Sequence, residues 1–249
     1  MNGILAIIDW GIGGIGVYKL IKQRRPTIPI IYFSDTGAPP YGKMSRAELV
    51  ARLNAVIKFL KSKGVTHLVI ACNAASTAIP FLNVEGIKIE GVIESAVAMT
   101  VKLKPKRLGL IGGRRTVLSG VYRKALAAHG IKVEQRIAQP LSAFIESGDI
   151  SSDTLREECR RIISPLRNCS HILFACTHYP AIADVMKDFV SPQTAFLDPA
   201  AELVKRIADW KLPVRGDDRF LTTGDARQMK NAALRAFGYR IEGARIINV

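Results

Sequence analysis

Short apolar runs alternate along the chain with longer stretches whose apolar residues recur at helical spacing. Ile4 to Ile8 is continuous and apolar, and so is Ile28 to Phe33. Similar runs end at Ile70, span Ile87 to Ile93, Leu108 to Ile111 and Lys132 to Ala138, end at Ala175, and span Thr194 to Leu197. Runs this short and bounded read as buried strands. Between them, helices are predicted over Ile15 to Gln23, Ser45 to Lys63 and from Ser95 to about Leu103. Further ones are predicted over Val117 to His129, around Phe144 to Glu146, and over Asp153 to Ile163, Ala181 to Phe189 and Ala201 to Trp210. Ser45 with Glu48 makes a capping box, and Gly130 suits a helix C-terminus. The tail adds Phe220 to Thr223, a helix from Ala226 to Phe237 and a last strand near Ile246. Strand and helix alternate throughout, which argues an α/β fold with mostly parallel sheets covered on both faces.

One stretch occurs twice. His67-Leu-Val-Ile-Ala-Cys72-Asn73 is echoed by His171-Ile-Leu-Phe-Ala-Cys176-Thr177. The economical architecture is a duplicated unit: two similar three-layer lobes related by pseudo-twofold symmetry, with the active site in the cleft between them. In open α/β sheets ligands sit beyond the carboxyl ends of the strands, where both cysteines fall. A single buried cysteine is usually a small hydrophobe; the matched pair points to chemistry. Each is followed by a polar residue and an expected helix start, and a helix N-terminus favours thiolate over thiol. A thiolate and a thiol form a base and an acid near neutral pH. Set on opposite faces of one carbon, they would invert it. Asp9, Glu146 and His178 are candidates to manage the coupled protonation; the bland reading of His178 is a surface-loop histidine.

A competing motif lies near the start. Gly11-x-Gly13-x-x-Gly16 follows a strand and opens a helix, with Asp35 at the end of the next strand. That matches a dinucleotide-binding fingerprint. Asp9 argues against it, since a carboxylate there would repel a pyrophosphate. The glycines read better as a tight turn beside a small ligand.

With 249 residues the chain can hold one large or two ordinary domains. Its apolar runs are strand-length, so no membrane span is expected, and the N-terminus reads as a strand rather than a signal peptide. Cys72, Cys159, Cys169 and Cys176 are too scattered for a disulfide framework, and no zinc spacing appears. A cytoplasmic protein with reduced thiols is the simplest reading. The net charge of +15 is spread along the sequence without interleaved aromatics, which leaves nucleic-acid contact a secondary reading.

These residues carry a resemblance. The opening Asp9-Trp10-Gly11-Ile12-Gly13-Gly14 resembles the Asp-Ser-Gly-Ile-Gly-Gly of the cofactor-independent aspartate/glutamate racemases, glutamate racemase above all. Tyr32-Phe33-Ser34-Asp35-Thr36, Pro40-Tyr41-Gly42 and Ala71-Cys72-Asn73-Ala74-Ala75-Ser76 are similar to further family elements, and Cys176-Thr-His-Tyr-Pro180 meets one in full. Gly112 to Thr116, Glu146 and Thr222 to Asp225 fit more loosely. The resemblance implies interconversion of L- and D-glutamate without pyridoxal phosphate or any other cofactor, supplying D-amino acid for peptidoglycan. It implies Cys72 and Cys176 as acid/bases, supported by Asp9, Glu146 and His178, with Trp10, Tyr41, Gly42, Asn73, Ala74, Thr116 and Thr177 around a small acidic amino acid. It implies a first domain of residues 1–95 plus 208–249, a second of 96–207, and a homodimer. Trp10, Ala74 and Gly113 each stand where the family carries a hydroxyl. Their loss keeps two alternatives open: a same-fold racemase for aspartate or a derivatised amino acid, and a basic nucleic-acid- or protein-binding protein with weakened catalysis.

Overall fold

A computed structural model of the chain describes residues 3–212, 214 and 216–249. Met1 and Asn2, in the N-terminal reading, and Pro213 and Arg215, in the tail, lie outside the described residues. The strands are β1 (Ile4–Asp9), β2 (Ile30–Ser34), β3 (Val65–Ile70), β4 (Lys88–Gly91) and β5 (Leu108–Gly112). Then follow β6 (Val133–Ile137), β7 (His171–Ala175), β8 (Ala195–Leu197), β9 (Arg219–Thr222) and β10 (Ala244–Ile246). They form two separate sheets, ordered β10-β9-β2-β1-β3-β4 and β6-β5-β7-β8. Every pairing is parallel.

The expected duplication is visible in those orders. β2-β1-β3-β4 and β6-β5-β7-β8 both run second, first, third and fourth strand of their lobe, and β9 and β10 extend only the first sheet. In each lobe the strand order reverses beside the first strand, between β1 and β3 and between β5 and β7. Such a switch point opens a crevice at the carboxyl ends. Cys72 follows β3 and Cys176 follows β7, so the repeated sequence delivers each cysteine to its lobe's crevice.

The sheets hold together by strand alternation. Along β1, Leu5 and Ile7 face one apolar cluster while Ala6 and Ile8 face another. Each fully buried isoleucine contributes roughly 1.5–3 kcal/mol. The first of these clusters also takes Ile111, Ile172 and Phe174 from the second sheet. One continuous core therefore runs through both lobes and fixes how their crevices face.

Several elements form as read. Helix Arg46–Ser62 carries the capping box, with Glu48 N donating to Ser45 Oγ (3.3 Å) and Ser45 N to Glu48 Oε2 (2.7 Å). Helices Asp153–Ile163 and Ala226–Phe237 match their expected bounds. Other boundaries differ. The run Ile87 to Ile93 is strand only to Gly91; Val92 and Ile93 open helix Val92–Leu103 and are buried on its inner face. The expected turn at Gly112 to Thr116 is already helical from Arg114, which puts Thr116 inside helix Arg114–Ser119. The expected helix Val117 to His129 is broken at Gly120, whose φ of 69° only glycine adopts easily. The expected helix Ala181 to Phe189 is a 3₁₀ turn, Tyr179–Ile182, leading into the short helix Ala183–Lys187.

Candidate active site

The two crevices meet in one cleft, lined from the first lobe by Asp9, Trp10, Tyr41, Gly42 and the loop Cys72 to Ala74. From the second lobe come Thr116, Gln139, Ser142 and the loop Cys176 to His178. Both cysteines are half-buried and free. The residue after each one reaches across the cleft. Asn73 Oδ1 accepts from Tyr122 Oη (2.5 Å), and Thr177 Oγ1 donates to Asp9 Oδ2 (2.8 Å).

Behind Cys176 runs a chain of polar groups. His178 Nδ1 lies 3.6 Å from the Cys176 sulfur, and its Nε2 lies 2.5 Å from Glu146 Oε1. Ile12 N donates to the same carboxylate oxygen at 2.7 Å. His178 is buried, which rules out the surface-loop reading. Burial alone would lower its pKa; the hydrogen bonds and negative charges of Cys176 and Glu146 overcome that and hold it well above the usual imidazole range. Glu146 does not line the cleft and acts from behind the histidine.

Cys72 is set differently. It caps the four-residue helix Asn73–Ser76. The helix-start argument expected a stabilised thiolate here, and that expectation fails. Burial pushes the Cys72 thiol well above its ordinary pKa, and the Asp9 and Cys176 charges add to the rise, although the Ala75 and Ala74 amides oppose it. Asp9 itself is fully buried, and desolvation lifts its pKa to about 6, against the pull of His178 and Thr177.

Close packing adds a second reason for the glycine motif. A Cβ on Gly11 would stand 1.8 Å from Glu146 Oε1, and one on Gly13 would stand 2.3 Å from Thr177 Oγ1. The first lobe's backbone comes this close to side chains of the second lobe, so only glycine fits, and residues 11–14 still make the expected turn, directly after two cleft-lining residues. The Asp35 carboxylate is consumed within the fold by Arg52 Nε (2.8 Å), Tyr41 Oη (2.7 Å) and Thr223 Oγ1 (2.8 Å). It cannot serve a ribose, and the dinucleotide reading falls.

The structure brings all of the expected site residues around one cleft, Glu146 in its outer layer. Tyr41 and Trp10 also have their polar atoms engaged, away from the cleft's cysteines. The Tyr41 hydroxyl is spent on Asp35, and the Trp10 indole N–H donates to the Ala38 carbonyl at 2.9 Å. Trp10 therefore lines the cleft without a free side-chain donor. Asn73 Nδ2 is buried and has no partner among the described residues. Sequence reasoning missed Gln139 and Ser142. They were legible: Gln139, Ser142 and Glu146 stand at i, i+3 and i+7 of helix Gln139–Glu146, one face of a helix. Among the described residues no group of His, Cys, Asp and Glu is gathered to hold a metal. No described helix is long and apolar enough to cross a membrane.

The model of the Asp/Glu/hydantoin racemase family matches residues 16–207. The chain belongs to the Asp/Glu/hydantoin racemase family. Among members of this racemase family, the glutamate racemase of Gloeobacter violaceus is 30% identical over 92% of this chain and 91% of its own length. That of Desulforudis audaxviator is 32% identical over 82% and 77%. The solved glutamate racemase of Francisella tularensis, in complex with D-glutamate, is 23% identical, covers 99% of this chain and 98% of its own, and superposes with a TM-score of 0.89. This racemase-family chain shares that enzyme's fold.

Proposed function

We propose that the protein interconverts L- and D-glutamate by proton transfer at Cα between two sulfurs. The observation that carries this reading is the pair of matched cysteines, ending equivalent strands of the two lobes and lining one cleft. Cys176, 3.6 Å from the His178 imidazole, is the sulfur that first takes the proton, and Cys72, desolvated, keeps its own. A substrate Cα proton passes to the Cys176 sulfur, and the electron pair left on carbon takes the Cys72 proton on the opposite face. Turnover leaves the roles exchanged, ready for the other enantiomer. The catalytic residues are Cys72 and Cys176; Asp9, Glu146 and His178 set their protonation.

Glutamate fits the chemistry of the cleft. No lysine or arginine lines it among the described residues, so the substrate carboxylates meet neutral donors such as Asn73 Nδ2 and the Thr116 hydroxyl. Asp9 is placed to meet the ammonium group. The curated relatives at 30–32% identity are glutamate racemases. The free thiols suit a reducing cytoplasm, where D-glutamate would be made for the cell wall.

Incubation with L-glutamate in deuterated water, followed by proton NMR and chiral chromatography, tests the reading. The expected result is deuterium at Cα together with D-glutamate. Exchange on aspartate but not on glutamate would transfer the mechanism to a different acidic amino acid. Exchange on neither would end it.

A further inference from the structure

Beside the cleft a second recess follows the seam between the lobes. Lys43, Met44 and Arg46 form one wall and Arg114 and Arg115 the other, around about 840 Å³ of open space. Gly42 lines both this recess and the cleft, so the recess lies at the cleft's entrance. No carboxylate lines it among the described residues. None of its four cations makes an ion pair among the described residues.

Exposed basic residues are ordinarily solvated surface. Arg115 is not in that condition. It is half-buried, and its Nη1 donates across the seam to the Met44 carbonyl at 2.7 Å. Its Nε is buried without a partner among the described residues. Burial, and then the nearby Arg46 charge, hold its pKa below the usual arginine range. Arg46 is steadied over the Phe81 ring, 4.9 Å from its centroid. A desolvated guanidinium with an unfilled donor lacks a counter-ion. Guanidinium forks match pairs of phosphate oxygens. A single phosphate group brings a charge of about −2 at neutral pH, so four gathered cations call for more than one.

We propose that this recess is an anion site for a small molecule carrying linked phosphate groups, gripped from both lobes at the entrance to the cleft. Its occupant neutralises the seam and fixes Arg115 against Met44.

The test is calorimetric titration with inorganic pyrophosphate at fixed ionic strength, without amino acid, so that it does not depend on the racemase reading. Saturable binding at one site per chain is expected. The pair Arg46→Gln with Arg114→Gln, both exposed side chains, weakens it by at least about tenfold. The pair Lys58→Gln with Lys132→Gln removes the same charge from exposed positions elsewhere and leaves affinity within about twofold. Equal weakening by both pairs would mean a general field and overturn the site. So would the absence of saturable binding. A single-stranded oligonucleotide that binds more tightly than pyrophosphate and suffers the same loss would overturn it in favour of a nucleic-acid surface.

Discussion

The loops Ala71-Cys72-Asn73 and Ala175-Cys176-Thr177 end equivalent strands and make equivalent hydrogen bonds across the cleft, yet their cysteines have different neighbours. Cys176 has an imidazole 3.6 Å away, itself tied to a buried carboxylate. Cys72 has short-helix amides and the Asp9 carboxylate for neighbours, and its thiol is driven up. Duplication supplied symmetric positions; the residues around them then broke the symmetry of charge. An inverting pair needs that: one proton shared between two sulfurs at rest.

The largest effect that can break the comparison is removal of one sulfur. Cys72→Ala and Cys176→Ala each lower inversion by about a thousandfold or more. Their residual behaviour should differ in kind. With Cys72 gone, Cys176 still removes and returns the proton of one enantiomer, so that enantiomer exchanges deuterium without inverting. Cys176→Ala should exchange only the other enantiomer. If both variants wash deuterium into the same enantiomer, the sulfurs do not stand on opposite faces of the carbon.

Asp9 joins the two sides, since it accepts from Thr177 and raises the Cys72 thiol. Its carboxyl is lifted from 3.8 to about 6 by burial. The sign follows from linkage: a carboxyl that binds its proton more tightly in the fold than in the unfolded chain costs stability as pH rises. The cost is absent below about pH 4 and complete above about pH 6, and amounts to as much as about 3 kcal/mol. Asp9→Asn keeps an oxygen for Thr177 and should be more stable than the parent by up to that amount at pH 7–8, with no gain at pH 4. Urea unfolding across the pH range measures this. A gap that does not change with pH would remove Asp9 from the coupling.

Glu146→Gln tests the wiring on the other side. The amide oxygen can still accept from Ile12 N, but the negative charge that helps hold His178 protonated is gone. Turnover should fall by about tenfold to a hundredfold. Alkylation offers a readout that a merely structural role would not move. In the parent Cys72, its thiol pushed up by burial, should react with iodoacetamide at least about tenfold more slowly than Cys176 at neutral pH, because the thiolate is the nucleophile. Glu146→Gln should narrow that ratio, and peptide mass spectrometry reads it.

What was legible in the sequence was what repeats or alternates locally. The two cysteine runs announced two lobes because a buried parallel strand is a short apolar run wherever it occurs. The Ser45 and Glu48 cap was legible because both partners lie within one turn. The end of β4 was not, since Val92 and Ile93 are apolar in a strand and equally apolar on the buried face of a helix. The glycine motif declared a close approach but not the approaching groups, Glu146 and Thr177, which lie over a hundred residues away. The state of Cys72 was illegible for a related reason. Amides at a helix start are local and can be read; the desolvation that outweighs them comes from the packed lobes.

That last point can be tested with a small change. Trp10 and Cys72 pack against the same apolar cluster and line the same cleft. The indole is anchored by its bond to the Ala38 carbonyl, so it works as a fixed apolar wall on the Cys72 side. Trp10→Ser removes the wall and puts a hydroxyl in its place. Water then reaches the Cys72 side, and the thiol should titrate at lower pH, which the pH dependence of Cys72 alkylation follows directly. The gap in alkylation rate between the two cysteines should shrink by a few-fold, and KM for glutamate should shift by a similar factor, the range of one neutral hydrogen bond gained, about 1 kcal/mol. An unchanged Cys72 titration would mean that the core beneath the loop, not the indole above it, keeps this sulfur protonated, and the asymmetry would then belong to the fold itself.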